Sequence, residues 1–414
     1  MPLPGLILIG WMVLLCVVQM IMLSKYVRTL RRAFSPLPPD GNYPPMLAVL
    51  CLRGADPFLR ECLVRLLASD YPDLRIRIVV DSDADPALPQ VRQILGELQS
   101  SNAELMILQE RLPHCSGKVS GLLAATECLP EGSEIVAWID GDSMLHRTAL
   151  KELAEGLRDP SVGAVSGNRW YLPPDASLSG VTRMLWNGFA VPAMNLFGLL
   201  WGGCMAARAS DFRNAEFRHV LAHSFIEDST ISTWVRSSGR NTEFVASAML
   251  LNRESISLGD YYRFATRQLF TVRIDNSRWR WLALHMLTLN MTILFTLLPM
   301  AMPSLYWWRE FTTMYFVLMG TSLLAIPIGH QHVKKVLAAR GENVPRISLA
   351  QWILFPMATL LPNQLNLLST LNTYFIRKLT WRGITYRFGS NPKCTIVDVQ
   401  PVAMKHNTAT HSVV

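Results

Sequence analysis

The sequence predicts an α/β domain built on a mostly parallel sheet, with transmembrane helices at its N-terminal and C-terminal ends. Three observations predict it. Apolar residues make up 50% of the 414 residues and charged ones only 17%, against roughly 25% in an average soluble domain. The apolar excess is concentrated in long uncharged runs near both ends. Between those runs, short apolar segments alternate with stretches of helical spacing, the pattern of strands joined by crossover helices. This composition excludes a disordered chain and a small disulfide scaffold. The seven cysteines are scattered and none forms a C-x-x-C pair, so neither a zinc site nor a disulfide framework is indicated.

The elements follow in chain order. Pro2–Leu23 carries no charge and is about 20 residues long, enough to cross a bilayer as a helix. Lys25, Arg28, Arg31 and Arg32 follow it. A signal peptide carries its positive charge in front, so residues 1–24 read as a retained anchor with its basic flank in the cytoplasm. Residues 25–281 read as a cytoplasmic domain. After a Pro-rich linker, Met46–Leu52 reads as a buried strand. Helical spacing through Phe58, Leu59, Leu63, Leu66 and Leu67 leads to a second strand, RIRIVV. A helix over Val91–Gln99, a third strand at Leu105–Leu108, a helix over Leu122–Cys128 and a fourth strand at Ile135–Ile139 complete the alternation. The stretch 181–200 is apolar but punctuated by Gly188, Pro192 and Asn195, and reads as an interfacial segment or as buried core.

Residues 282–375 read as transmembrane or re-entrant helices. Leu282–Pro303 and Phe311–Gly329 are uncharged and each about 20 residues long; Trp307 and Trp308 between them suit a headgroup belt. Leu349–Leu371 is interrupted by Pro356, Pro362, Asn363 and Gln364, a break that lipid would not tolerate uncovered. It therefore either re-enters or crosses once. Residues 376–414 read as a basic cytoplasmic tail. The net charge of +8 sits largely at these membrane edges, which favours anionic headgroups over nucleic acid as partner.

Ligands of parallel sheets bind at the C-terminal strand ends, so the polar residues there are the ones that matter. The second strand ends in Asp81, Asp83 and Asp85, the fourth in Asp140 and Asp142. Each group alone is compatible with a turn. A D-x-D directly after the apolar VAWI would instead converge on a hard cation, Mg²⁺ or Mn²⁺, shared with a diphosphate. Glu227 and Asp228 open a helix, where acids are favoured by the dipole. Lys118 also opens a helix, a position that suits a phosphate. Arg267 and Gln268 lie amid apolar residues before the membrane re-entry. His219, His223 and Glu227 recur every fourth residue, without the H-E-x-x-H signature of a helical metal site.

The order of these segments is more specific than any one of them. LRGADPFL, DYPDLRIRIVVDSDADPA, G-K, D-x-D, GGCMAAR, E-D, TRQLF and WRGITYRF together resemble glycosyltransferase family two, and within it the membrane-bound ceramide glucosyltransferase-like branch. The resemblance runs from Pro44 to Phe388. It implies a nucleotide-sugar-binding, GT-A-like domain with membrane helices. Asp81 or Asp83 would touch the nucleotide base, and Lys118 would sit near the diphosphate. Asp140 and Asp142 would hold that diphosphate through Mg²⁺ or Mn²⁺, with Asp142 the direct ligand. Asp228 would be the general base. Gly202, Gly203, Cys204 and Glu227 would border the acceptor. Arg267 and Gln268 would take the place of the Q/R-x-x-R-W motif, although no Trp follows the Arg here. That departure favours a single transfer to a small or lipid acceptor over polysaccharide synthesis, and the resemblance as a whole implies an inverting transfer from a nucleotide sugar such as a UDP-sugar to a lipid. The rival from another class, a membrane transporter, is disfavoured because the apolar runs carry no Lys, Arg, Asp or Glu.

Overall fold

The computed structural model describes residues 3–38, 42–288 and 308–402. Its centre is formed by β1 (Met46–Leu52), β2 (Leu74–Val80), β3 (Ala103–Ile107), β4 (Ile135–Ile139), β5 (Val162–Tyr171), β6 (Cys204–Arg208) and β7 (Asn241–Asn252). They make a seven-stranded sheet of order β3-β2-β1-β4-β6-β5-β7. The pairs β1–β2, β1–β4, β2–β3 and β5–β7 are parallel, and β6 alone runs against both its neighbours. The four strands read from the sequence are all present. Three further strands, β5 to β7, complete the sheet.

Helices cover both faces, as a parallel sheet requires. Along β1, Met46, Ala48, Leu50 and Leu52 face one core, together with Leu59 and Leu63 of α2 (Leu59–Leu67) and Leu88 and Val91 of α3 (Ala87–Leu98). Leu47 and Val49 face the other, with Val119 and Leu122 of α4 (Gly117–Ala125). This is the period-two alternation of a strand buried on both sides. Each such side chain gains about 1.5–3 kcal/mol from burial. The first core also takes α5 (Ala149–Gly156); the second takes α8 (Ala215–Ala222) and α9 (Glu227–Ser237), which follow α6 (Leu178–Phe197) and the short α7 (Ala209–Arg213).

Register places the site. Leu52 pairs with Val80, so β1 and β2 end level with one another, and β4 ends two residues short of them, with Ile139 opposite Leu50. Arg53, Asp81 and Asp140 therefore leave the sheet along one edge. Cys204 pairs with Ile139, so antiparallel β6 starts where β4 ends and brings Gly202 and Gly203 to the same edge.

A helical layer packs beyond β5 and β7. It contains α1 (Leu3–Arg32), α6, α11 (Trp308–Ala338) and α12 (Leu349–Thr373), with α10 (Leu258–Asp275) alongside α12. The anchor helix does not stop at residue 24. It runs on to Arg32 and buries Tyr26 and Leu30 with Phe244 of β7 and Ile326 and Val333 of α11. Its other side exposes Leu6, Ile7, Leu14, Val17 and Ile21. Among the described residues, Ile9–Arg32 is the one helical stretch long and apolar enough to cross a membrane. Most of the expected span Leu282–Pro303 lies outside the described residues, so the multi-pass expectation has one such helix behind it. None of residues 181–200 is exposed, which makes α6 buried core rather than an open interfacial segment.

The Pro-Asn-Gln interruption does not break α12, which is one continuous helix through Pro356 and Pro362. Its start is fixed by a capping box between Ser348 and Gln351. Leu349, Ile353, Met357, Leu368 and Leu371 are exposed, whereas Gln351, Thr359, Ser369 and Thr373 are buried. Apolar outside and polar inside is the reverse of a soluble surface helix. The buried polar side has partners: Ser369 Oγ lies 3.0 Å from Thr266 Oγ1, and Asn366 Oδ1 accepts from Trp186 at 2.8 Å.

Residues 378–399 do not form an extended tail. They fold into a three-stranded antiparallel sheet, β8 (Lys378–Trp381), β9 (Ile384–Phe388) and β10 (Cys394–Val399). Ile384, Tyr386 and Cys394 bury Phe225, three residues before Asp228. The helical layer is tied to the sheet domain by a buried ion pair. Arg340 Nε lies 2.6 Å from Glu152 Oε1 of α5, with side chains 11% and 5% exposed. Arg340→Met strands that carboxylate and should cost about 3–5 kcal/mol of stability. Unfolding monitored in detergent checks this, and Glu152→Gln in the same chain should restore most of the loss.

Candidate functional site

The strand-end edge opens into a cavity of about 1710 Å³ lined by Asp81, Lys118, Asp140, Asp142, Gly202, Gly203, Glu227, Asp228, Arg267 and Gln268, among others. Ten of the expected site residues thus meet in one space, although they come from six separate segments. Two do not. Asp83 is exposed on the loop after β2 and is not in the lining, whereas Asp81 is buried and lines the cavity. Cys204 is fully buried in β6 opposite Ile139. It is the first residue of a core strand, so its thiol belongs to the packing and not to the acceptor side.

Lys118 occupies the first turn of α4, whose N-cap Ser116 accepts from the Val119 amide at 3.2 Å. Its ammonium lies 2.6 Å from Asp140 Oδ1 and 2.5 Å from Glu227 Oε1, and donates to the Gly202 carbonyl at 3.0 Å. Burial opposes the charge, but the Asp140 and Glu227 carboxylates outweigh it and hold Lys118 protonated. Glu227 is 1% exposed, and its Oε2 has no hydrogen-bond partner among the described residues. A Cβ on Gly202 would collide with the same carboxylate, so glycine there is what allows Glu227 to reach Lys118.

The second acid of the D-x-D has a different partner. Arg169 from β5 grips Asp142 with both arms, at 3.0 and 2.8 Å, and lies 4.7 Å over the Trp201 ring. Burial pushes the Asp142 carboxyl up, but Arg169 overrides it and the net shift is downward. Asp228 opens α9. Its Oδ2 accepts from the Gly202 amide at 3.0 Å and its Oδ1 from the Ser229 amide. Burial, and then the Glu227 charge, push Asp228 up to about 7 against the opposing pull of Lys118.

Asp81 is clamped by Arg53 and by Arg111, whose Nε lies at 2.8 Å. Arg53 in turn donates to the Arg382 carbonyl at 2.6 Å and to the Gln400 carbonyl at 2.7 Å. The Tyr386 hydroxyl accepts from the Gly117 amide at 3.1 Å. The C-terminal sheet is therefore a wall of the site. Arg267 makes no hydrogen bond within the described residues and lies 5.2 Å over the ring of Trp381. Burial, and then neighbouring Arg382, disfavour its charge. Arg53, Arg111, Arg169, Trp381, Arg382 and Tyr386 were not identified by sequence reasoning. Arg169 had a signal: it is the one charged residue in VGAVSGNRWY. Trp381 and Arg382 lie in the segment that the resemblance marks only as its close.

Among the described residues no three His, Cys, Asp or Glu side chains are grouped as a metal would need. The His219 and His223 rings lie 4.4 Å apart, tilted at 45°, at the end of α8, while Glu227 turns away to Lys118. Asp140 and Asp142 still fit a hard divalent cation. Their side chains are 31% and 25% exposed and line the cavity, and Mg²⁺ is commonly held by one or two carboxylates plus substrate phosphates.

Residues 9–394 match the family model described as Glycosyl transferase family 21. No curated sequence matches the chain significantly. The fold is similar to that of the Pyrobaculum calidifontis mannosyltransferase PcManGT, solved in complex with GDP-Man and Mn²⁺. Identity is 17% and the TM-score 0.50, over 89% of this chain and 98% of that one. S. aureus TarS 1-349 in complex with UDP-GlcNAc matches at 11% identity and a TM-score of 0.34, over 86% of this chain and 100% of that one.

The buried Asp228 has a consequence for stability. A carboxyl raised in the folded state contributes stability fully below its unfolded value of 3.8 and loses it as pH rises through about 7. Asp228→Asn removes that loss. Its melting temperature should gain on the wild type as pH rises across this window, which a pair of pH-dependent melting series measures.

Proposed function

The chain belongs to glycosyl transferase family 21, and from that membership we propose that it is a membrane-bound inverting glycosyltransferase moving one sugar from a nucleotide sugar, a UDP-sugar in the first instance, to a lipid hydroxyl. The expected family two gives way to family 21, the family of the ceramide glucosyltransferases. That membership supports the glycolipid reading suggested by the sequence. The observation that carries the lipid acceptor is the shape of the cavity. It runs from Asp140, Asp142 and Asp228 past Phe189, Met194 and Leu199 to Met20, Met22 and Leu23 of α1. One end offers carboxylates and cations; the other is apolar and reaches the helix most suited to a bilayer. A molecule with a hydroxyl head and an acyl tail fits both ends at once.

The chemistry follows from the charges. Asp140 and Asp142 face the place for the donor diphosphate, and a Mg²⁺ or Mn²⁺ ion between them would offset the leaving group's charge. Lys118 keeps Asp140 and Glu227 fixed and adds positive potential beside the same group. Asp228 is poised near 7, where about half of the carboxyl groups are ionised at neutral pH and the carboxylate accepts a proton readily. It takes the proton of the acceptor hydroxyl as that oxygen bonds to C1. The C1–O bond to phosphate breaks, the electron pair leaves with the nucleoside diphosphate, and the anomeric carbon inverts.

Asp228→Asn should bind donor nucleotide normally and lose transfer by about 10²–10⁴-fold. In the wild type, kcat/KM should rise with pH through an acid limb near 7. Activity unchanged from pH 5 to 8 would remove Asp228 as the base. EDTA should abolish transfer and added Mn²⁺ or Mg²⁺ restore it; full activity in EDTA excludes the ion from the reaction. Labelled nucleotide sugars given to membranes of an expressing host, with mass spectrometry of the lipid product, test the reading as a whole. A ladder of oligomers would make the enzyme a polysaccharide synthase of the same family.

A further inference from the structure

The turn between β8 and β9 is two residues long, Arg382 and Gly383, because Trp381 pairs directly with Ile384. Their φ values are +49° and +77°, the left-handed pair of a type I′ turn. Gly383 takes this without strain. Arg382 does not, since a Cβ in the left-handed region costs about 1 kcal/mol and Asn, Asp or Gly is the usual first residue. A residue kept where its backbone is strained directs attention to its side chain.

That side chain points to the D-x-D turn. Arg382 donates to Asp56 Oδ2 and to the Arg53 carbonyl, each at 2.7 Å. Asp56 Oδ2 would be 3.8 Å from a Cβ on Gly141, between Asp140 and Asp142. The Arg382 side chain is 37% exposed and lines the cavity. The preceding residue, Trp381, carries Arg267 on its ring. One hairpin tip thus holds two guanidiniums on a single wall.

The other cations of the site are spent. Lys118 is committed to Asp140 and Glu227, Arg169 to Asp142, and Arg53 and Arg111 to Asp81. Arg267 has no carboxylate partner among the described residues; Arg382 is paired as well, but with Asp56 rather than with an acid expected at the site, and its Nε makes no hydrogen bond among the described residues. Neighbouring like charges on a half-buried wall are unfavourable unless an anion completes them. A guanidinium fork matches phosphate oxygens in geometry as well as charge.

We propose that Arg382, at the tip of the C-terminal hairpin, is a donor-binding residue that contacts the diphosphate of the nucleotide sugar beside Arg267. This rests on the donor reading above. The hairpin then serves as the part of the site that meets the leaving group, and the strained turn is what aims it.

Gly is the residue that the turn prefers, so Arg382→Gly keeps the hairpin and removes only the guanidinium. Titration of the full-length, detergent-solubilised protein with UDP, GDP, ADP and dTDP in Mg²⁺ gives the affinities, and melting temperatures report the fold. The wild type should bind at least one of them. Arg382→Gly should weaken that binding by about 10- to 100-fold, with an unchanged or higher melting temperature, and Arg382→Gln should match it. Arg382→Lys should keep part of the affinity that Arg382→Gly loses. Wild-type affinity in Arg382→Gly, or loss in Gly but not in Gln, overturns the assignment. So does loss accompanied by a lowered melting temperature in both variants, which gives the hairpin a structural role only. A wild type that binds none of the four nucleotides overturns the donor reading itself, and this assignment with it.

Discussion

The site depends on one buried ammonium. Lys118 lies between Asp140, Glu227 and the Gly202 carbonyl, and so ties the start of α4 to the ends of β4 and to the entry of α9. Without it, two carboxylates would face each other in a poorly hydrated space, with the raised Asp228 next to them. The cost of an unpaired buried charge is several kcal/mol, more than any single apolar contact there returns. Arg169 does the same for Asp142 from β5. Acidic chemistry can be concentrated at this edge because Asp81, Asp140, Asp142 and Glu227 are each paired with a cation, Asp140 and Glu227 sharing Lys118. Asp228 has no ion pair among the described residues, and its affinity for a proton rises.

Much of this was legible in the sequence, and the exceptions share a cause. The first four strands show as apolar runs because both their faces pack against helices. Their ends pointed to Asp81, Asp140 and Asp142, which line the cavity. The strand β5 was not recognised, although every residue in it is buried. Its pattern is broken by Ser166, Asn168 and Arg169, the residues through which it serves the site. A strand that delivers a functional cation gives up the periodicity by which strands are recognised. The same holds for α12, where Pro356, Pro362, Asn363 and Gln364 suggested a break. Its polar side chains Ser369 and Asn366 find partners in Thr266 and Trp186 on other helices, and that is tertiary information.

The C-terminal sheet was the largest surprise, because basic residues after a membrane segment read as headgroup contacts. Arg382 instead turns inward to Asp56, and Trp381 supplies an aromatic face to Arg267. The missing Trp of TRQLF thus has a spatial counterpart far along the chain. Local motif reading cannot find such a substitution, since the two residues meet only after the intervening helices have packed.

That placement orders events in time. A chain made from its N-terminus releases its sheet domain first, then the helical layer, and last the strands from 378 to 399 that close over Asp81 and Phe225. Domains fold largely as they emerge. Until those strands dock, Arg53 lacks the two carbonyls that orient it and Gly117 lacks its phenol. The nascent protein therefore passes through a stage in which its carboxylates are assembled but one wall is absent. Competence arrives with the closing strands, after the helical layer.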